Sequence, residues 1–460
     1  MKDKIAIVGA IFIVITSFFI PELDYLSVIG IRTIGLVLAF LLLLLTNALP
    51  LSIVCWTVLG LMPIIGVTSG FGYALMGFSN PVMFFILASF GISAAFTTLP
   101  LSKRILVFLL KKFGGNINSM LLAFMVCILP ITAFVSSVPV AAMFLAIAIR
   151  FLELFDDEKE KKITGKAFMI AVPVTCLFGG IATPAGSAIN LLAINLLERY
   201  TGQTISFLQW MSVGVPLTLL ILPVAWFLIV HIYKPAEINP EKVRLFIEKL
   251  EIPPKINLLE KKFLIIFGTM VILWVLSSWF SEINIVVVAL LGTCIMFFPK
   301  IEILEWKLFI KNVNFDAFFL VGTVLSLGIV MVNNGVSSWI TTMLPTDQMS
   351  LPVLIAFTVM LVFFILIFLP VGPSVIVFLA VPLITLAQSM GYDPAIIILV
   401  AAIAAGNCYL FPFDTIPQIT YGSGYYTMLD MPKSTLPLQI YVICIITLVF
   451  WIATTVLNII

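Results

Sequence analysis

Asp414 is the only acidic side chain deep within an apolar run of this chain. A lone carboxylate in hydrocarbon is costly, so it is expected to be protonated, paired or bound to a cation. No Lys or Arg falls at its depth. We expect it to hold a coupling proton or cation; the competing expectation is that it caps a broken helix. Hydroxyls and amides gather at other interruptions rich in Pro and Gly: Ser136, Ser137, Thr183, Ser187, Asn190, Ser374, Thr415 and Gln418. A single Ser or Thr in an apolar helix usually bonds back to its own backbone. Grouped at breaks, these residues suit the lining of a wet cavity. Free N–H groups at helix N-termini there would receive an anion. Unwound carbonyls and hydroxyls would receive a small cation.

Other chemistry is absent from the pattern. There is no HExxH, no phosphate-binding glycine loop, no paired intramembrane acid, and one histidine, His231, at a helix edge. Gly422-Ser423-Gly424 has the look of a nucleophile turn but lacks partners. The six cysteines, Cys55, Cys127, Cys176, Cys294, Cys408 and Cys444, lie in apolar runs without a CxxC pair and are expected to fill space. An enzyme is not expected, nor a channel.

The elements that must carry these residues are set by composition. Apolar residues make up 62% and charged residues 10% of 460, and the mean hydropathy is +1.23. Soluble folds keep about a quarter of their residues charged, so lipid is the solvent. A net charge of +2 implies no polyanionic partner. Spans of about 20 apolar residues fall at 5–20, 31–48, 51–66, 80–100, 209–231, 262–280, 283–299, 313–333 and 437–458. The N-terminal run is expected to be an uncleaved first span, because Pro21-Glu22-Leu23 is a poor cleavage site.

Four stretches are too long or too interrupted for a straight crossing: 118–152, 167–198, 350–388 and 395–425. Basic residues cluster at 2–4, 103–112, 150–166, 234–262, 300–311 and Lys433. The run 118–152 is therefore flanked by positive charge at both ends, and 350–388 is flanked by segments with no Lys or Arg. Each should enter and leave on one side, as a re-entrant hairpin, from opposite faces. With 167–198 and 395–425 as broken crossings, about 11 spans result. The N-terminus lies inside and the C-terminus outside, and only Arg32 and Arg199 of the 24 basic residues are external. Plain helices throughout, the alternative, would place several basic clusters outside.

The halves resemble each other. Val82-Met83-Phe84-Phe85-Ile86-Leu87 recurs as Asp316-Ala317-Phe318-Phe319-Leu320-Val321, and Leu129-Pro130 before Ser136-Ser137 recurs as Leu369-Pro370 before Gly372-Pro373-Ser374. Opposite starting sides make this an inverted repeat, as in many secondary transporters. The expected fold is an all-α polytopic membrane protein with two re-entrant hairpins and two broken transmembrane helices. Its parts are an N-terminal half (1–230), a cytoplasmic linker (231–261) and a C-terminal half (262–460).

This layout resembles the divalent anion/sodium symporter family over residues 78–230 and from 313 to the end. The residues that carry the resemblance are Gly179-Gly180-Ile181-Ala182-Thr183-Pro184 and Phe411-Pro412 leading through Thr415 and Pro417 to Tyr421-Gly422-Ser423-Gly424-Tyr425. Family members carry Ser-Asn-Thr at each hairpin tip; this chain has Ser136-Ser137-Val138 and Gly372-Pro373-Ser374. The Thr-Pro-Pro-Asn positions read Ser187-Ala188-Ile189-Asn190 and Thr415-Ile416-Pro417-Gln418. The resemblance implies an elevator-type transporter, a homodimer in the plasma membrane, carrying a di- or tricarboxylate with sodium. It implies substrate contacts from Ser136, Ser137, Thr183, Pro184, Ser187, Asn190, Ser374, Thr415, Pro417 and Gln418. It implies cation contacts from Ser136, Gly180, Ala182 and Asn190, with Asp414 added by this chain. No cofactor is expected beyond Na⁺ or H⁺ as coupling ion. Proton coupling or anion exchange through Asp414, and a sensor without transport, are the alternatives.

Overall fold

In hydrocarbon every backbone N–H and C=O needs an internal partner, which leaves apolar runs only the helix or a closed barrel. The computed structural model describes residues 2–46, 48–113, 116–249, 255–280, 282–342 and 349–455. Among these no strand forms, and Leu23 and Leu26 make an isolated bridge. Eight helices are long and apolar enough to cross a membrane. The protein is an all-α polytopic membrane protein.

The chain opens with α1 (Lys2–Thr16), α2 (Val28–Thr46), α3 (Leu51–Ile64) and the short α4 (Phe71–Ala74). A first series follows: α5 (Pro81–Thr98), α6 (Leu101–Phe113), α7 (Ile117–Thr132), α8 (Ser137–Leu152), α9 (Glu158–Gly180), α10 (Ala188–Thr201) and α11 (Phe207–Tyr233). The connecting helices are α12 (Pro240–Lys249), α13 (Leu258–Leu276), α14 (Ile285–Ile295) and α15 (Trp306–Asn312). A second series repeats the order of the first: α16 (Phe315–Asn333), α17 (Val336–Thr341), α18 (Leu351–Phe368), α19 (Gly372–Ser389), α20 (Pro394–Ala405), α21 (Thr415–Tyr421) and α22 (Met431–Thr455). In each, two helices precede a helix–turn–helix pair, an interrupted helix and a long closing helix.

Proline sets many of these starts. It opens α5, α12 and α20 and falls in the first two positions of α18 and α19. There its missing N–H has no intrahelical partner to lose. The arms of the first hairpin have 16 residues each, a reach of about 24 Å against a hydrocarbon thickness of about 30 Å. Phe124 of α7 lies against both Phe144 and Phe151 of α8, with centroids 6.1 and 6.3 Å apart, which joins the two arms. The second hairpin closes on itself. The Tyr392 hydroxyl, just beyond α19, donates to the Met349 carbonyl just before α18, at 2.9 Å. Both its ends therefore lie together. Residues 343–348 of its basic-free flank, 250–254 of the linker and 456–460 of the last expected span lie outside the described residues.

Contacts group the chain into two units, each drawn from both halves of the sequence. The first comprises Met1–Leu87, Leu192–Thr204 and Asn314–Ala405; the second comprises Ala88–Leu191, Ile205–Val313 and Gly406–Ile460. In the first unit α18 and α19 pack on α20, and α16 packs on α3 and α19. Phe319 of α16 meets Trp56 edge-on, with centroids 5.3 Å apart. In the second unit α7 and α8 pack on α9, and α11 packs on α9 and α22. Phe168 lies 5.1 Å from both Phe124 and Phe151, joining α9 to the hairpin, and Phe246 of α12 covers Phe151 at 5.5 Å.

The basic clusters of the second unit converge. Arg104 of the amphipathic α6 grips the fully buried Glu260 through Nε at 2.6 Å and Nη2 at 3.1 Å. Lys242 reaches Asp156 at 2.6 Å and the Leu154 carbonyl at 3.0 Å. Lys262 donates to the Lys300 carbonyl. Asp430, 4% exposed, accepts from Lys166 and Lys433, each at 2.9 Å, while its backbone carbonyl accepts from the Tyr233 hydroxyl at 2.6 Å. Burial alone would raise the Asp430 carboxyl; hydrogen bonds from Lys433, Thr427 and Lys166 outweigh it and hold the group far below the usual range. His231 is exposed, its Nδ1 2.8 Å from the Phe227 carbonyl. All six cysteines are free; Cys294 and Cys444 are exposed rather than filling space, because they sit on outward faces of α14 and α22.

Candidate functional site

The first hairpin tip and the first helix break pack together in the second unit. Pro130 near the end of α7 and the Gly179-Gly180 pair at the end of α9 both end regular helix. Past Gly180 the chain turns, runs extended at Thr183, makes one 3₁₀ turn over Pro184–Gly186, runs extended at Ser187 and re-enters helix at Ala188. That path frees backbone carbonyls inside a buried region, and each must find a donor.

Side chains supply them. Ser137 Oγ donates to the Cys176 carbonyl at 3.0 Å, and Thr183 Oγ1 donates to the Ala133 carbonyl at the tip. Asn190, fully buried, donates through Nδ2 to the carbonyls of Gly180 and Thr183, both at 2.8 Å. Trp210 Nε1 of α11 donates to the Ile181 carbonyl at 2.8 Å. Packing is too close for a larger residue at Gly186. A Cβ there would lie 2.5 Å from the Gly180 carbonyl oxygen and 2.9 Å from those of Ala133 and Thr132. Ser136 occupies the N-cap position of α8 and makes no capping bond. Pro184, Gly180 and Ala182 are buried, and Ser187 Oγ accepts from the Ile189 N–H at 3.3 Å.

The second break supplies α21, which packs against α8 and α9 in the same unit. Asp414 caps it, accepting the Ile416 N–H at 3.0 Å. The N-terminal end of this helix thus already faces a carboxylate, which the positive end of a helix dipole favours. Gln418 donates to the Phe413 carbonyl at 2.7 Å, Thr415 is exposed, and Pro417 is buried. The Pro417 carbonyl accepts from Tyr426, whose hydroxyl also meets Thr420, both at 3.1 Å. Tyr409, on the unwound stretch before Asp414, is fully buried, and its hydroxyl has no hydrogen-bond partner.

Ser374 belongs to the first unit. It is 6% exposed, and its hydroxyl is also without a partner. It borders a cavity of ~30 Å³ walled by Val37, Phe40, Val324, Leu327 and Met331, enough for about one water. The structure thus brings Ser136, Ser137, Thr183, Pro184, Ser187 and Asn190 into one unit with the elements of Asp414, Thr415, Pro417 and Gln418, and places Ser374 in the other. Trp210 and Tyr426 were not legible as participants. Tyr and Trp beside a broken stretch are the signal that would have found them, since each carries a donor that burial favours pairing. Among the described residues no cluster of His, Cys, Asp or Glu is built to hold a metal ion. A cation here would meet carbonyl, hydroxyl and lone carboxylate oxygens, the ligands of a hard ion.

Comparison with known proteins bears on this arrangement. Residues 2–458 match the transmembrane region of the sodium:sulfate symporters. A sodium-dependent dicarboxylate transporter, SdcS, of Staphylococcus saprophyticus is 23% identical, over 97% of this chain and 90% of its own. A membrane protein of Cupriavidus necator is 23% identical, over 73% of this chain and 68% of its own. Among solved structures, the antimetabolite efflux pump MtrF of Neisseria gonorrhoeae superposes with a TM-score of 0.56 at 12% identity, over 86% of this chain and 84% of its own. The YdaH transporter of Alcanivorax borkumensis gives 0.53 at 13% identity, over 92% and 98%. These two likenesses are of fold. The match over nearly the whole chain places it in the sodium:sulfate symporter family, as an integral-membrane transporter and not an enzyme.

Proposed function

We propose that the protein is a secondary active transporter of a small organic anion, a di- or tricarboxylate, driven by the sodium gradient and working by elevator-type alternating access. The observation that carries this is the twice-repeated order of hairpin and broken helix, in a chain of the sodium:sulfate symporter family whose relatives include a sodium-dependent dicarboxylate transporter. Inverted repeats of this kind give two conformations of nearly equal energy, one open to each side. In the second unit the N-termini of α8 and α10, at the first tip and the first break, offer N–H groups to a carboxylate. The Ser136, Ser137, Thr183, Pro184, Ser187, Asn190, Ser374, Thr415, Pro417 and Gln418 positions are the proposed substrate contacts. The cation contacts are drawn from Ser136, Gly180, Ala182, Asn190 and Asp414. A homodimer in the plasma membrane, with the basic end of the second unit cytoplasmic, completes the proposal.

Asp414 favours a second version, in which a proton is the coupling ion or anions exchange. Its carboxylate beside the second break would repel a dianion unless neutralised. Reconstituted protein with labelled succinate, citrate or sulfate tests both. The expected result is uptake at least about tenfold faster with an inward Na⁺ gradient than with choline, and counterflow of label in its absence. Uptake that follows an inward proton gradient and disappears in Asp414→Asn assigns the second version. Binding without any flux would overturn transport and leave a sensor.

A further inference from the structure

The first break is assembled around one carboxamide. Three stretches of backbone meet there and bring four carbonyls together: Ala133 and Thr132 from the tip, Gly180 at the end of α9, Thr183 in the extended segment. Oxygens so crowded repel one another and require positive charge among them, from a cation or from N–H and O–H donors. The chain's own donors meet the need. Asn190 sets both amide protons on the Gly180 and Thr183 carbonyls at 2.8 Å, Thr183 donates to Ala133, and Ser137 donates to Cys176. The amide has one acceptable orientation: turned over, Oδ1 would face two carbonyl oxygens. What remains is the Asn190 Oδ1 atom, buried and without a partner.

We infer that the Asn190 carboxamide takes the place of a bound cation at the first break, so that this break is held closed without sodium. The local geometry stands alone. For its consequence, that any sodium coupling falls to other sites such as the second break, the inference rests on the proposed cation-driven transport. Of the cation positions set out above it leaves Ser136, Ala182 and Asp414, since Asn190 and the Gly180 carbonyl are bonded to each other.

Asn190→Asp tests it, since the substitution keeps the shape and exchanges the bridging NH₂ for oxygen. Three oxygens, one charged, then share the space, and a small cation becomes the way to hold them. Purified full-length protein is unfolded thermally across a series of NaCl concentrations, with choline chloride holding ionic strength constant. The variant is expected to gain one more bound Na⁺ than the wild type in the dependence of melting temperature on log[Na⁺]. A dependence equal to that of wild type overturns the inference. Should the variant fail to fold, wild-type protein decides by hydrogen–deuterium exchange in Na⁺ against choline. Exchange across residues 176–190 is expected to be the same in both, and Na⁺-induced protection there overturns the inference. The transport proposal fails on flux in liposomes, a separate readout that neither of these measurements touches.

Discussion

The two hairpin tips reverse the chain in unlike surroundings. At the first, hydroxyl and amide donors from Ser137, Thr183 and Asn190 are matched to carbonyls of the tip and the neighbouring break. At the second, the turn is closed within its own backbone, Val371 N–H to the Leu369 carbonyl at 2.8 Å, and Ser374 is left unpartnered against an apolar cavity. α9 breaks beside the first tip, and carbonyls there are met by side chains of the tip and the break. α20, packed on α18 and α19, also ends at a break, after Ala405, yet the Ser374 hydroxyl takes no partner from it. A polar residue at a tip joins a network only where packing brings a freed carbonyl within its reach.

The largest expected effect tests how firmly the second unit depends on buried pairing. Glu260→Leu should destabilise the protein by about 3–5 kcal/mol, because Arg104 loses its ion-pair partner and the Asn257 N–H loses its acceptor at the start of α13. The double variant Arg104→Met/Glu260→Leu should regain the ion-pair share of that but not the capping share, by thermal or denaturant unfolding in detergent. If the single variant is as stable as wild type, the pair is not structural.

Next, Asn190→Leu should cost about 2–4 kcal/mol by leaving two buried carbonyls unmet. A cost under about 0.5 kcal/mol would mean that the amide is not what closes the first break.

Acid tests the charged end of the second unit. The folded carboxyl of Asp430 is held below its unfolded value, so the stability it confers is present above about pH 4 and is lost as the pH falls below that. Asp430→Asn should be less stable than wild type at neutral pH, and the gap should narrow below about pH 4. A gap that is constant with pH would remove the charge from the explanation.

The smallest effect draws the contrast between the tips most sharply. Ser137→Ala should cost about 1 kcal/mol, whereas Ser374→Ala should lie within about 0.5 kcal/mol of wild type, since no bond is lost. Equal costs would erase the distinction. A raised KM in Ser374→Ala with unchanged stability would mark that hydroxyl as a substrate contact.

The helical plan was legible because lipid leaves few choices. Apolar run lengths set the long helices, and charge-flanked and charge-free runs exposed the two hairpins, whose arms meet at Ala133–Ser136 and Leu369–Val371. Glycine and proline at 179–184 and around 406–417 marked the breaks within a few residues. The amphipathic α6 was visible only as a basic cluster, since a short helix on a surface has no long apolar run to announce it. The capping role of Asp414 was one of two expectations for that residue, and its hydrogen bond to Ile416 is present.

What the residues could not reveal is which donor meets which carbonyl. That Trp210 caps Ile181 and that Asp430 gathers Lys166 and Tyr233 depend on segments distant in the chain being brought within 3 Å, and that Asn190 reaches back to Gly180 depends on the path of the break between them. Composition, span lengths and the positions of charge and of helix breakers act locally, through solvation and backbone sterics, and so are written in the sequence. Pairing among buried polar groups is decided only when helices pack, because in a medium without water each group must take the partner that the packing places in reach.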